Sequence, residues 1–339
     1  MTESAGPVRP IASENVPWQV WSDPPNFAQR SRHLSRALLG DRYQIGVAIE
    51  ELEPGKRSAP FHYHFFEEEH VFVLAGVVSL RLGAATYDMR AGDYVCFPAG
   101  QRAGHCLVNN SSETCRYLIV GERNPREVCV YPDSNKVMVR ALARNAIFDM
   151  AATRNYWHGE ETGLPMSLPA ALIAAEEEPH PKRPISSDAV EWEETQIGTN
   201  FGGRARHLTY AATGADYRIG MLIESPAPGK RLCPRHYHML EEEHALILEG
   251  EVTLLLGAER HLMKAGDYVC FPAGRKIGHS FLNSGAGECR YLMIGARDPN
   301  EVCVYPDSNK MVVGALRSRQ DIFDMSNPRD YWDGEAIGD

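Results

Sequence analysis

The chain has 339 residues, 43% of them apolar, and 45 acidic against 35 basic side chains give it a formal charge of −10. That balance argues against nucleic acid as a partner, because phosphate binding needs a clustered basic surface. No apolar run approaches the roughly 20 residues of a membrane-spanning helix, and the opening MTESAGPVRP has neither the basic start nor the apolar stretch of a secretion signal.

Past an arm that runs to about Trp18, short apolar runs alternate with turn residues. They are YQIGVAIEEL from Tyr43, HVFVLAG from His70, VVSLRLG from Val77, YVCFPAG from Tyr94, HCLVNN from His105 and CRYLIVG from Cys115. A spacing of about 8–12 residues predicts an all-β sandwich or barrel and not alternating strands and helices. Helical periodicity is weak and confined to the ends of the pattern. The series is then written a second time. AGDYVCFPAG stands at Ala91 and again at Ala265, and EVCVYPDSNK at Glu127 and again at Glu301. The match starts as early as Arg9 and Arg183 and runs through IFDM in both halves. Two tandem copies of one domain follow, with expected bounds 1–160 and 183–339 and a Pro-, Ala- and Glu-rich linker at 161–182 that has room for one short helix. The repeated segments Arg9–Trp18 and Arg183–Trp192 are expected to clasp the neighbouring barrel. Eight cysteines, none in a CxxC pair, sit mostly in apolar strands. They read as buried, reduced thiols of a cytoplasmic protein.

The chemistry is concentrated in FHYHFFEEEH and RHYHMLEEEH. On a strand His62 and His64 point to one side, as do His236 and His238. A carboxylate follows in each copy, and a third histidine, His105 or His279, comes after a Pro- and Gly-containing loop. Both Glu68 and Glu69 are spaced to serve. Alternation puts Glu69 on one face with Val71 and Val73 and Glu68 on the other, and separates Glu243 from Glu242 likewise. Three imidazoles and one carboxylate suit a borderline divalent ion, and in an octahedral shell they leave about two positions open.

These residues resemble the two motifs of the cupin superfamily, G-x5-H-x-H-x3,4-E-x6-G and G-x5-P-x-G-x2-H-x3-N. Gly55, His62, His64, Glu69 and Gly76 follow the first, and Gly92, Pro98, Gly100, His105 and Asn109 the second. Gly229, His236, His238, Glu243, Gly250, Gly266, Pro272, Gly274, His279 and Asn283 repeat both. Two loops depart in length, and both copies share the departures: Gly55 and Gly229 lie one residue further from the first histidine, and four residues replace two before the last histidine. The YPDSNK tail is similar to that of largely uncharacterised bacterial cupins.

The resemblance implies a bicupin: two tandem jelly-roll β-barrels with short peripheral helices, each holding one divalent transition metal through His62, His64, Glu69 and His105 or through His236, His238, Glu243 and His279. Fe(II) is favoured over Mn, Ni, Zn or Co. The layout is similar to quercetinase-type dioxygenases, which implies an oxygenase for a small organic, aromatic or enolic substrate. The alternatives are a metal-dependent isomerase, lyase or decarboxylase, and a small-molecule-binding protein without catalysis. The chain is expected to be a monomer or a homo-oligomer, with no nucleic acid or membrane partner. His70 and His244 fall on the outer strand face and read as interdomain or surface contacts, Tyr94 and Tyr268 as packing residues, and Arg81, Arg102 and Arg275 as residues of a solvated loop or strand face, with the holding of an acidic substrate as the alternative. Phe65–Phe66 becomes Met239–Leu240 in the second copy, Val71 becomes Ala245 and Val73 becomes Ile247, so the two cavities are expected to differ in shape.

Overall fold

The computed structural model describes residues 8–23, 26–143, 146–152, 154, 178, 180–316, 321–330 and 333. The expected linker lies almost wholly outside them. Two compact units divide the chain. One comprises residues 16–190 and 209–217, and the other the residues up to Asn15 with 191–208 and 218–339.

The first unit is antiparallel β throughout. Its main sheet has seven strands in the order Ile185–Ser186, Asp93–Phe97, Glu69–Ala75, Cys115–Glu122, Ile45–Leu52, Phe27–His33 and Gln19–Asp23. A three-stranded sheet, His105–Val108, Val77–Leu82 and Ala85–Arg90, lies among the barrel's other walls with a four-stranded one, Ile147–Asp149, Lys136–Val139, Val128–Tyr131 and Tyr63–His64. All six apolar runs read from the sequence are strands. Among the described residues each copy has one short α-helix, Leu34–Leu39 and Leu208–Thr213, placed early in the copy, and the described residues towards its end form only 3-10 turns. The second unit repeats the three sheets strand for strand.

Alternation builds the interior. Val71, Val73, Val78, Leu80, Leu82, Val95, Phe97, Leu107 and Tyr117 pack as one buried cluster, and each such side chain stabilises the fold by about 1.5–3 kcal/mol on leaving water. Gly76 turns the chain from Glu69–Ala75 into Val77–Leu82 at φ +79, where a Cβ would come within 3.0 Å of the Thr114 carbonyl. Gly250 does the same in the second copy, with a Cβ 2.4 Å from the Glu288 carbonyl. A glycine therefore ends each first motif for want of space as well as for its dihedral angle.

Each barrel's sheet is closed by a short strand from the segment preceding the other copy in sequence. Ile11–Ala12 pairs with Tyr268 and Asp267, and Ile185–Ser186 pairs with Tyr94 and Asp93. Ser13 and Ser187 then donate their N–H groups to Gly266 and Gly92. All eight cysteines are free thiols; seven are buried and Cys233 is half-buried. No helix among the described residues is long and apolar enough to cross a membrane.

Candidate metal centre

Three chain segments bring the first constellation together. His62 and His105 face each other across an antiparallel bridge, exchanging N–H to carbonyl bonds of 3.2 and 2.7 Å. His64 lies opposite Cys129 in the pairing of Tyr63–His64 with Val128–Tyr131. Glu69 opens the strand Glu69–Ala75 and points across to Gly121, the one residue type there whose lack of a side chain leaves room for it. The ligating atoms of His62, His64, Glu69 and His105 all lie within 4.8 Å of one another. Their Nε2 atoms are 4.0, 3.6 and 3.0 Å from Glu69 Oε2, in the order His62, His64, His105. In the second barrel His236, His238 and His279 stand 3.8, 3.3 and 2.9 Å from Glu243 Oε2. There His236, Glu243 and His279 form one tight group, while His236 and His238 form another with Cys303.

The rings are aimed by bonds at their far sides. His62 Nδ1 lies 2.6 Å from the Pro60 carbonyl and His236 Nδ1 2.9 Å from that of Pro234. An N–H on Nδ1 leaves Nε2 as a lone pair directed into the cluster. Phe97 stacks on His105 at 3.8 Å and Phe271 on His279 at 3.7 Å, each pair within 5° of parallel.

Sequence reasoning missed the glutamate that organises this turn. Glu127 is buried and accepts the N–H groups of Phe65 and Phe66 at 3.1 and 3.0 Å, with His64 Nδ1 at 3.2 Å. Glu301 accepts those of Met239, Leu240 and Glu241. Its available signal was the leading Glu of the repeated EVCVYPDSNK. Glu67 is buried as well and paired with Arg140. Asn109, the last residue of the second motif, holds a loop by donating to the Leu52 and Glu113 carbonyls.

His70 and His244 are corrections to the surface reading. Both are fully buried. His70 bridges Glu68 (3.1 Å) and the Tyr94 hydroxyl (2.7 Å), and His244 bridges Glu242 and Tyr268 likewise. Tyr94 continues the chain of bonds to Thr209 at 2.7 Å. Glu68 thus serves the outer face of the strand and Glu69 the inner one. Arg81 is also engaged: it pairs with Asp133 and lies over the Phe61 ring. In the second barrel Leu255 replaces Arg81 and Arg235 replaces Phe61, yet Arg235 reaches the equivalent Asp307.

The electrostatics fit a cation. Burial, then the neighbouring His105 and His64, push His62 down to about 3. Burial, then the neighbouring His279 and His238, push His236 down to about 4. His64 goes the other way: burial opposes its charge, but Glu127 and Glu69 outweigh burial and raise it to about 10. Glu69 sits well below the ordinary carboxylate range, because the bonds and charges of His105 and His64 outweigh its burial. The carboxylates thus stabilise one positive charge amid neutral imidazoles. The buried His64 Nε2 and His238 Nε2 make no hydrogen bond, an arrangement that costs free energy and that an ion in place of the proton there would relieve. A divalent ion meets both conditions.

Comparison with known proteins bears on the fold. Residues 48–121 and 222–295 each match the cupin domain. The quercetin 2,3-dioxygenase of Bacillus subtilis is 23% identical over 243 residues, covering 69% of this chain and 68% of that enzyme. A variant of the Bacillus subtilis oxalate decarboxylase superposes with a TM-score of 0.53 at 16% identity, over 88% of this chain and 79% of that one. A sugar phosphate isomerase from the cupin superfamily of Silicibacter pomeroyi is 28% identical, covers 41% of this chain and 92% of its own, and has a TM-score of 0.37. Two cupin domains, one on each copy of the repeat, make this chain a bicupin.

Proposed function

We propose that the chain is a metal-dependent dioxygenase acting on a small aromatic or enolic compound. The observation that carries this reading is the convergence of three imidazole Nε2 atoms on one carboxylate oxygen in each barrel, and the likeness to a quercetin 2,3-dioxygenase supports it. The ion would be held by His62, His64, Glu69 and His105 in the first barrel and by His236, His238, Glu243 and His279 in the second. Fe(II), the favoured ion, supplies redox and Lewis-acid chemistry between dioxygen and a chelating enol or phenolate.

The chain's own residues set the conditions for that chemistry. Glu127 and the Pro60 carbonyl lock His64 and His62 into one tautomer and one orientation. Glu241 lies 3.5 Å from His238 Nδ1. Burial pushes it up to about 7, against the Asp298 N–H and the charge of His238. Where Arg140 holds Glu67 in the first barrel, the second has Gly314. Glu241 can therefore take or return a proton near neutral pH, beside the ligand cluster.

Oxygen uptake tests the reading. Iron-loaded protein is expected to consume one dioxygen per substrate lost with at least one member of a panel of flavonols, catechols and cyclic enols. Full iron occupancy without uptake across that panel would sink it. Turnover of hydroxy- or keto-acids under argon would then assign a lyase or isomerase, and binding without turnover a non-catalytic role. A separate result is expected from Glu127→Ala: affinity of the first barrel for metal, measured by chelator competition, falls about 10–100-fold. Unchanged affinity in a variant with unchanged far-UV circular dichroism would remove Glu127 from this role.

A further inference from the structure

The two ligand clusters share their residue types but not their arrangement. In the first barrel the ligating atoms of His62, His64, Glu69 and His105 all lie within 4.8 Å of one another. In the second the same spacing splits the donors. His236, Glu243 and His279 form one group and His236, His238 and Cys303 the other, with His236 common to both. The His238 and His279 rings are accordingly further apart, 6.4 Å between centroids against 5.9 Å for His64 and His105.

His238 is also held differently. Glu127 fixes His64 through Nδ1 at 3.2 Å, whereas neither ring nitrogen of His238 makes a hydrogen bond. Glu301, the counterpart of Glu127, accepts three backbone N–H groups and stands 3.3 Å from His238 Nδ1, off the line of a hydrogen bond. Cys303 is the direct cross-strand partner of His238, and residues directly opposite on an antiparallel pair point to one face. Its buried thiol meets the Tyr305 hydroxyl, and the Tyr305 ring stands 6.0 Å from that of His236. A second thiol lies close by. Cys233 replaces Ala59 in this copy, and Glu243 and Cys303 are among the groups whose charge it feels. The first barrel's Cys106 turns instead to the Ala59 carbonyl and towards Arg57, Arg81 and Asp133.

We propose that the Cys303 thiolate joins His236 and His238 on the ion of the second barrel, with Glu243 and His279 completing the shell, and that this barrel therefore favours a thiophilic ion such as Zn(II) more strongly than the first does. The inference rests on the reading of these residues as a metal centre and deepens it. Thiolate is the softest donor present, and adding it to nitrogen and oxygen ligands favours Zn(II) over Fe(II). The ion displaces the thiol proton, which passes to water, and the Tyr305 hydroxyl then donates to the sulfur. Such a shell leaves about one octahedral position open where that of the first barrel leaves about two. The first barrel is then the one with room for dioxygen and a chelating substrate together.

Absorption spectra of the full-length protein loaded with Co(II) test this, because sulfur-to-cobalt charge transfer gives an intense near-ultraviolet band that nitrogen and oxygen ligands do not. The expected result is two cobalt ions per chain and that band in the unaltered protein, with the band lost in Cys303→Ser and kept in Cys129→Ser. In anaerobic competition between Fe(II) and Zn(II), Cys303→Ser is expected to retain less zinc than the unaltered chain; an equal zinc share overturns the ion preference. Two bound cobalt ions without the band, or a band that survives Cys303→Ser, overturns the ligand assignment, and the first of these outcomes needs no variant to fold. Either leaves the metal-dependent reading standing. The band in a chain that takes up no oxygen when iron-loaded overturns only the dioxygenase reading, and a chain that binds no cobalt overturns both.

Discussion

Elemental analysis of the His238→Ala variant is expected to find one equivalent of divalent metal per chain where the unaltered chain holds two, and His64→Ala is expected to give the same count from the other barrel. The effect should be large, because each imidazole is proposed as one of four ligating groups. Removing one forfeits roughly 3 kcal/mol of binding, about a hundredfold in affinity. It also leaves Glu243 or Glu69 with fewer cationic neighbours in a buried position, which adds to the loss. His64 and His238 are the informative choices because their Nε2 atoms have no hydrogen-bond partner within the protein, so alanine there breaks no bond at that nitrogen. Two equivalents retained in either variant would mean that the ligand set is wrong.

The second large effect is on stability and lies away from the metal. Glu50 projects into the first barrel, where its carboxylate takes the Tyr117 hydroxyl at 2.9 Å and Gln29 Nε2 at 3.3 Å. Burial pushes it up to about 7, against the Tyr117 bond, with a smaller upward push from Glu69. The folded chain therefore keeps this proton up to about pH 7, whereas the unfolded chain releases it near the ordinary glutamate value of about 4.3. Stability from this group is fully present below that lower value and is lost as pH rises from there through about 7, by on the order of 3 kcal/mol. Denaturant unfolding of metal-saturated protein at pH 5 and pH 8 should show this loss, and Glu50→Gln should remove most of it. The same pH slope in the variant as in the unaltered chain would show that Glu50 is not the source. Glu224 is the counterpart in the second barrel, also raised to about 7 by burial, with Gly203 where the first barrel has Gln29.

Much of this architecture was legible in the sequence because two signals were local. Alternation along HVFVLAG and CRYLIVG identifies strands, since side chains on a pleated backbone change sides at every residue. The motif's six-residue spacing to Gly76 chose Glu69 over Glu68, alternation sent the two to opposite faces, and the structure has one with His105 and one with His70. What local pattern does not carry is the identity of the partner on either face. Glu127 reaches His64 from 63 positions away, and no periodicity joins the two. His70 read as an outer-face residue because period two names a face but not what covers it. The covering groups are Tyr94 and, beyond it, Thr209, which is 115 positions further along the chain.

The relocated arginine has a consequence for the coding repeats themselves. Phe61 with Arg81 in one copy, and Arg235 with Leu255 in the other, are two solutions to the same requirement, a guanidinium on the aspartate of YPD. The solutions do not mix. A crossover between the repeats that falls between these two positions would yield one barrel with two arginines competing for a single aspartate and one with none. A single exchange point within the stretch between them, which carries the paired histidines and the glutamate, therefore breaks the pairing, whereas an exchanged tract that spans both positions keeps each half internally matched.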